Sequence, residues 1–376
     1  MLTANQMLTI TEVTTPGQLA RFVDFPWQVY AGNPNWVPPT KKDVRHLLDA
    51  EHHPFWQHAR RALFLAEQDD RIVGRISAQV DDNYNRLWNE QLGSFGFFES
   101  FDDQAVAAAL LDRAAGWVRE QGMTVLRGPM SPSSNDEWGT LIEGFDSPPV
   151  VMMPYNPDYY PRLFEAWGLK KAKDLLAFYK AASTPMPQRF VDLAGKLRAN
   201  KRITVRPINL KNLESEMALF KDIYNASWEK NWGFSPMTEA ELDLLAKNLK
   251  TVADPNMCLL AFYDGKPAGL SLTLPDLNQI LIKFNGRLGP VEMLRFLALR
   301  GKVKGSRALV FGTKSEYRRL GLPVLLLYET EDYMRRKGYQ WCELSWNLED
   351  NRLINDFDTE VGARIYKRYR VYEKPL

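Results

Sequence analysis

Cysteine is scarce. Cys258 and Cys342 are the only two in the chain, so the sequence has neither a disulfide framework nor a thiolate metal cluster. Long apolar runs are missing as well, and none reaches the length that spans a bilayer. The opening stretch, MLTANQMLTITEV, has no basic segment leading into an apolar one, so it does not read as a signal peptide. These absences point to a reducing, cytoplasmic compartment. No excess of one charge exists: 48 basic and 46 acidic residues leave a formal net charge of +2. Without a whole-molecule field, nucleic acid is not an expected partner. Histidine is limited to His46, His52, His53 and His58. EHHPFWQH lacks the three or four convergent ligands that zinc requires, so no metal is expected.

What is present is ordinary for a globular α/β (α+β) protein: 45% hydrophobic and 25% charged residues. At 376 residues the chain is too long for one ordinary core and implies two domains. Periodicity gives the same element order twice. In the first half a strand, LTITEV, leads into helical patterns. RALFLAEQDDRIVGRISAQV then reads as a hairpin turning at Asp69-Asp70, and GSFGFFES as a strand. A capped helix starts after Asp102-Asp103, followed by the buried strand TVLRG, a short helix and the strand AKDLLAFYK. In the second half ITVRPI, two helices, a hairpin turning at Asp264-Gly265, RALVFGT, a helix, YQWCELSW, a short helix and RIYKRYRVYEK repeat that order. Expected boundaries are 1–180, a proline-bearing linker at 181–202, and 203–376.

The strand RALVFGT runs into GTKSEYRRLGLP and then directly into a helix. The first N–H groups of a helix have no partner within it, and the helix dipole adds partial positive charge there. A loop that aims those groups outward makes a phosphate socket. Gly321 permits close backbone approach, and Arg318 and Arg319 add charge. No Gly-Lys-Ser/Thr follows, and the Rossmann glycine pattern is absent. The plainer alternative is a capped helix with solvated arginines.

Arg318-Arg319-Leu320-Gly321-Leu322-Pro323 resembles the acyl-CoA pyrophosphate loop of the GCN5-related N-acetyltransferase (GNAT) superfamily. The repeated element order resembles that fold in both halves. The resemblance implies two tandem GNAT-like (acyl-CoA N-acyltransferase) domains, each a mixed, mostly antiparallel sheet flanked by helices. Pro323 departs from the usual Gly or Ala and removes one donor from the socket. That leaves acyl carrier protein open as a donor beside acetyl-CoA or a longer acyl-CoA. The matching place in the first half, FFESFDDQAVAAALL, has no glycine and carries Glu99, Asp102 and Asp103. The first domain is therefore expected to be degenerate, without a pyrophosphate loop.

The resemblance also implies site residues. Phe311, Gly312 and Thr313 would hold the pantetheine arm, and Leu320, Leu322 and Asn351 would complete the cofactor set. The next strand would supply Glu343, Ser345, Trp346 and Asn347 near the thioester, with Glu343 and Asn347 as catalytic candidates and Glu343 the one to take the amine proton directly or through water; a solvated edge carboxylate is the other reading of Glu343. The family's acid tyrosine is replaced by Asp358, which leaves Tyr366, Tyr369 or no acid at all. Asn135, Asp136, Glu137, Trp138 and Tyr155, in the structureless loop Gly128–Pro157, are the first substrate-binding candidates. Trp228 and Trp232, in NASWEKNWGF, are the others.

NPNWVPP, NDEWGTLIEGFD, PYNPDYY and ELSWNLEDN resemble the bacterial ceramide synthase-like group of GNAT proteins. That implies a long-chain acyl donor and a sphingoid amine acceptor. An acetyltransferase for a small polar amine and a non-catalytic acyl-CoA-binding protein stay open as alternatives. The insertion GPVEMLRFLALRGKVKGSR mixes large apolar and basic residues. It reads either as a packed helix or as a peripheral membrane contact. Oligomeric state is not legible.

Overall fold

The computed structural model describes residues 8–228 and 231–376. Its chain divides into two compact units, each discontinuous in sequence. Unit 1 holds Met1–Leu175, Leu281–Glu292 and Arg368–Leu376; unit 2 holds Leu176–Ile280 and Met293–Lys367.

Unit 1 begins with β1 (Thr9–Glu12), α1 (Pro16–Asp24), α2 (Pro26–Val29) and α3 (Lys41–Leu47). The hairpin β2 (Ala59–Gln68) and β3 (Arg71–Asp81) turns at Asp69-Asp70, as the sequence indicates; both residues take positive φ. Then come α4 (Asp82–Trp88), β4 (Leu92–Ser100), α5 (Gln104–Glu120) and β5 (Val125–Gly128). The segment expected to be a structureless loop instead carries three short strands: β6 (Met130–Ser131), β7 (Glu137–Trp138) and β8 (Thr140–Glu143). Periodicity needs a longer window than two residues to register such strands. α6 (Tyr160–Trp167) and β9 (Lys170–Ala181) follow, the last residues of β9 passing into unit 2.

Asp103 caps α5 by accepting from the N–H groups of Ala105 and Val106. The inner face of α5, including Val106, Leu110, Ala114 and Val118, packs on Phe64, Ile76 and Phe95 of the sheet. Each fully buried side chain of this kind stabilises the unit by about 1.5–3 kcal/mol.

Unit 2 contains α7 (Gln188–Ala199), β10 (Ile203–Pro207), α8 (Leu213–Trp228), α9 (Glu239–Val252), β11 (Cys258–Tyr263) and β12 (Lys266–Pro275). Next are α10 (Asn278–Leu281) and α11 (Pro290–Leu299), of which Leu281–Glu292, from the end of α10 to the start of α11, belongs to unit 1, and then β13 (Gly305–Thr313), α12 (Leu322–Lys337), β14 (Trp341–Leu348) and α13 (Arg352–Glu360). β15 (Arg364–Pro375) starts in unit 2; its residues from Arg368 onward belong to unit 1 and pair with β5 and β8. α7, part of the expected linker, packs Ala194 and Leu197 into a core with Leu322, Leu325 and Leu326 of α12. Within unit 2 the strand order is β14-β13-β12-β11-β10. β13 and β14 run parallel and the pairings from β13 to β10 are antiparallel, so the sheet is mixed and mostly antiparallel.

Candidate active site

β13 and β14 pair only over Gly305–Ala308 and Trp341–Leu344. Both continue further, β13 to Thr313 and β14 to Leu348, with no register between them. A small cavity of about 90 Å³ occupies the gap. Leu309 and Phe311 line it from β13, Leu344 to Asn347 from β14, and Leu327, Thr330, Glu331 and Met334 from α12. α13 contributes Ile354, Phe357 and Asp358.

The strand-to-helix loop stands just beyond β13. Ser315–Leu320 forms one 3-10 stretch and leaves Arg318 and Arg319 exposed. Gly321 then takes φ +76 as the N-cap of α12, and Pro323 sits in the first turn. A side chain at residue 321 would carry a left-handed strain of about 1–2 kcal/mol. Its Cβ would also come within 3.2 Å of Leu193 on α7. The glycine therefore keeps this turn tight and open to a ligand.

Cys342 and Leu344 line the cavity and Glu343 does not. Glu343 stands behind the lining, next to Ser345, which does line the cavity. There its carboxylate accepts hydrogen bonds from the hydroxyls of Tyr366 and Ser345. Arg307, its register partner, donates Nε to Ser345 Oγ at 3.1 Å. Burial raises the Glu343 pKa, while Arg307, Ser345, Tyr366 and Lys367 pull it back down. Glu343 and Tyr366 are thus brought together, but outside the cavity that receives Asn347 and Phe311.

Asp358 is the cavity residue whose role sequence reasoning left unassigned. It is 3% exposed and accepts a hydrogen bond on Oδ2 from Asn347 Nδ2 at 2.8 Å. Burial pushes its carboxyl up to about 7, against the opposing pull of Asn347. The signal was available: Ile354, Phe357, Asp358 and Val361 share one helical face, so a carboxylate stands in an apolar stripe. Across the cavity Lys180 pairs with Glu331 at 3.1 Å.

Gly312 and Thr313 pair with Leu270 and Gly269 of β12, and Asn351 begins α13; none of the three lines the cavity. Trp232 is half-buried in the α8–α9 connection, where Phe234 supplies the buried packing against Tyr224. The Trp228 side chain lies outside the described residues. In unit 1, Trp138 is buried and the Tyr155 hydroxyl donates to the Phe145 carbonyl. Asp136 accepts from Ser133 Oγ, whose oxygen also receives the Asn135 N–H. Glu137 keeps solvent contact, yet the packing round its carboxyl, with Glu99 and Asp136 nearby, pushes it up to about 7.

The equivalent junction in unit 1 is closed. β4 and β5 pair over Leu92–Ser94 and Val125–Arg127 and then part. The next residues of the chain fill the gap: Phe97 N–H donates to Ser131 Oγ at 3.0 Å, and Gln79 Nε2 donates to the Met130 carbonyl at 2.7 Å. A Cβ on Gly96 would stand 1.7 Å from that same carbonyl oxygen. Glu99, expected to repel phosphate, is held by Tyr160 and Arg75, and Asp102 by Arg162.

Two parallel strands that part around a cavity, with a glycine turn into a helix beyond one of them, define the GNAT fold. A tandem GNAT protein from the clavulanic acid biosynthesis pathway aligns with a TM-score of 0.59 at 11% identity, over 98% of each chain. A GCN5-related glucosamine N-acetyltransferase region of a fungal multi-domain β-N-acetylglucosaminidase gives 0.60 at 14% identity, over 99% of this chain and 38% of that one. No family model matches the sequence. The bacterial ceramide synthase of Caulobacter vibrioides (strain NA1000 / CB15N) is 36% identical over 380 residues, covering 99% of this chain and 98% of that protein. Protein YghO of Escherichia coli (strain K12) is 34% identical over 369 residues, covering 95% and 93%. The chain therefore belongs to the bacterial ceramide synthase family of tandem GNAT proteins, as the sequence motifs indicate.

Proposed function

We propose that this protein is an N-acyltransferase that moves an acyl group from acyl-CoA to a primary amine, with a long-chain sphingoid base as acceptor. The observation that carries the donor half is the open cavity of unit 2, which lies along the strand leading to the glycine turn and two exposed arginines. Its mainly apolar walls suit a pantetheine arm or an acyl chain, and the turn suits a pyrophosphate. Pro323 takes one N–H from that turn, so acyl carrier protein belongs in the same donor comparison. The acceptor half is supported by the name of the Caulobacter relative.

The donor supplies a thioester, and the chain supplies proton handling at two places. Asp358 holds a proton at the cavity wall, where a thiolate leaving group needs one. Asn347 fixes the orientation of that carboxyl. In this reading Glu343, beside the lining residue Ser345, takes a proton from the incoming ammonium, and its hydrogen bonds from Tyr366 and Ser345 orient it. Nitrogen loses two protons on the way from ammonium to amide: the first passes to Glu343 and on to solvent before attack, and the second leaves for solvent as the amine nitrogen bonds to the thioester carbon. As the C–S bond breaks, Asp358 gives its proton to sulfur and is then reprotonated from solvent, so the net release is one proton.

Purified protein should acylate a sphingoid base with a long-chain acyl-CoA faster than it acetylates polyamines or aminoglycosides. Efficient acetylation of a small soluble amine, with no turnover of long-chain donors, would replace the lipid acceptor with the small-amine reading.

A further inference from the structure

α11 presents its apolar side to solvent. None of its ten residues is buried. Glu292, Phe296 and Leu299, spaced along one helical face, are half-covered. The opposite stripe, Val291, Leu294 and Leu297, is 64%, 69% and 52% exposed. Met293 and the preceding Leu288 extend it, both more than two-fifths exposed. A surface helix of a globular domain normally has the reverse pattern.

The surroundings select what covers the stripe. Arg287 precedes it; Arg300, Lys302 and Lys304 follow it, and all four are exposed. Between Lys283 and Lys304 the one acidic residue is Glu292, which lies on the covered face and accepts from the Gly289 N–H. A second copy packed stripe to stripe would bring these cations toward their own images. An anionic surface would complement them. At ten residues α11 is about 15 Å long, enough to lie in an interface and too short to cross one. No helix among the described residues is long and apolar enough to span a membrane.

We propose that α11 docks the protein on an anionic lipid bilayer, with Val291, Leu294 and Leu297 in the interface and Arg287, Arg300, Lys302 and Lys304 against the headgroup phosphates. The docking deepens the lipid-amine reading above and rests on it for its biological purpose, because a sphingoid base must be drawn from a membrane.

Flotation with phosphatidylcholine vesicles, with and without phosphatidylglycerol, tests it. The protein should float with the anionic vesicles, and less so as salt is raised. Leu294→Glu with Leu297→Glu should weaken binding at least about tenfold, and so should Arg300→Glu, Lys302→Glu and Lys304→Glu together. CoA titration should be unchanged in both variants, which shows that they fold. Wild type that ignores anionic vesicles, or variants that bind as wild type does, would overturn the docking. So would a wild-type dimer that Leu294→Glu splits while vesicles bind nothing, since the stripe would then belong to a second copy. Assays on a sphingoid base in detergent micelles separate the two readings. Vesicle binding without micellar acylation keeps the docking and removes the acceptor; micellar acylation without vesicle binding does the opposite.

Discussion

β4 and β13 are both nine residues long, and each pairs in parallel with the strand after its helix before parting from it. Counted from their first residues, Gly96 of β4 falls where β13 has Leu309. Leu309 lines an open cavity; Gly96 is pressed against the backbone of Met130. Glu99 similarly falls where β13 has Gly312. One frame has been kept twice, and the segment leaving the second strand decides between a cavity and a plug. After β14 the chain turns into α13. After β5 it crosses back over β4. In unit 1 main chain, and not a charged side chain, occupies the gap.

The comparison can be broken in the plug first. Gly96→Val should cost about 3 kcal/mol or more, because its Cβ has backbone rather than a flexible side chain in the way. Chemical denaturation of the full chain measures it, and a loss below about 1 kcal/mol would mean that the gap can open. Next is the glycine turn of unit 2. Gly321→Asp combines left-handed strain with a carboxylate at a phosphate socket and should weaken CoA binding roughly a hundredfold. Titration calorimetry should also give one CoA per chain in the wild type; two sites would contradict the plug.

A sharper comparison comes from chemistry. Asp358→Asn should lower kcat on the order of a hundredfold below pH 7, with CoA affinity intact. The acid form of Asp358 is present below its pKa of about 7 and is lost as pH rises through it. Wild-type kcat should therefore fall along that limb, and the limb should vanish in the variant. An acyl donor with a more acidic thiol should recover most of the loss; equal loss with every donor would remove Asp358 as the acid. Glu343→Gln should reduce turnover about tenfold, more at low pH than at high pH, where more acceptor amine is already neutral. The mildest change, Ser131→Ala, removes one hydrogen bond from the plug. It should cost about 1 kcal/mol without creating a second CoA site.

Much of this was legible in the sequence because it is local. Both hairpin turns, the α5 cap and the positive φ of Gly321 follow from Asp and Gly at positions where the backbone demands them. The order of elements, and with it the family, follows from periodicity and a few motifs. The short strands β6 to β8 did not: β6 is held by Gln79 and Phe97, some 35 to 50 residues away along the chain, and β8 pairs with β15 near the chain's other end. Nor did the state of Asp358. Its place in the apolar stripe was visible, but a proton held near neutral pH depends on the walls that α12, β13 and β14 put around it. The partnership of Glu343 with Tyr366 likewise required β9 to be set between β14 and β15, two strands from distant parts of the chain.

β15 has a consequence for how the molecule is made. On the ribosome the strands and α5 of unit 1 emerge first, yet the pairing of Val125–Gly128 with Tyr372–Pro375 must wait for nearly all of unit 2 to be synthesised. During that interval β5 is an unsatisfied edge, open to pairing with another nascent chain. Unit 1 thus cannot be finished vectorially. Its completion comes after unit 2, so a chain that stalls or is cut before Arg368 leaves the earlier-born unit, rather than the later one, without its closing strand.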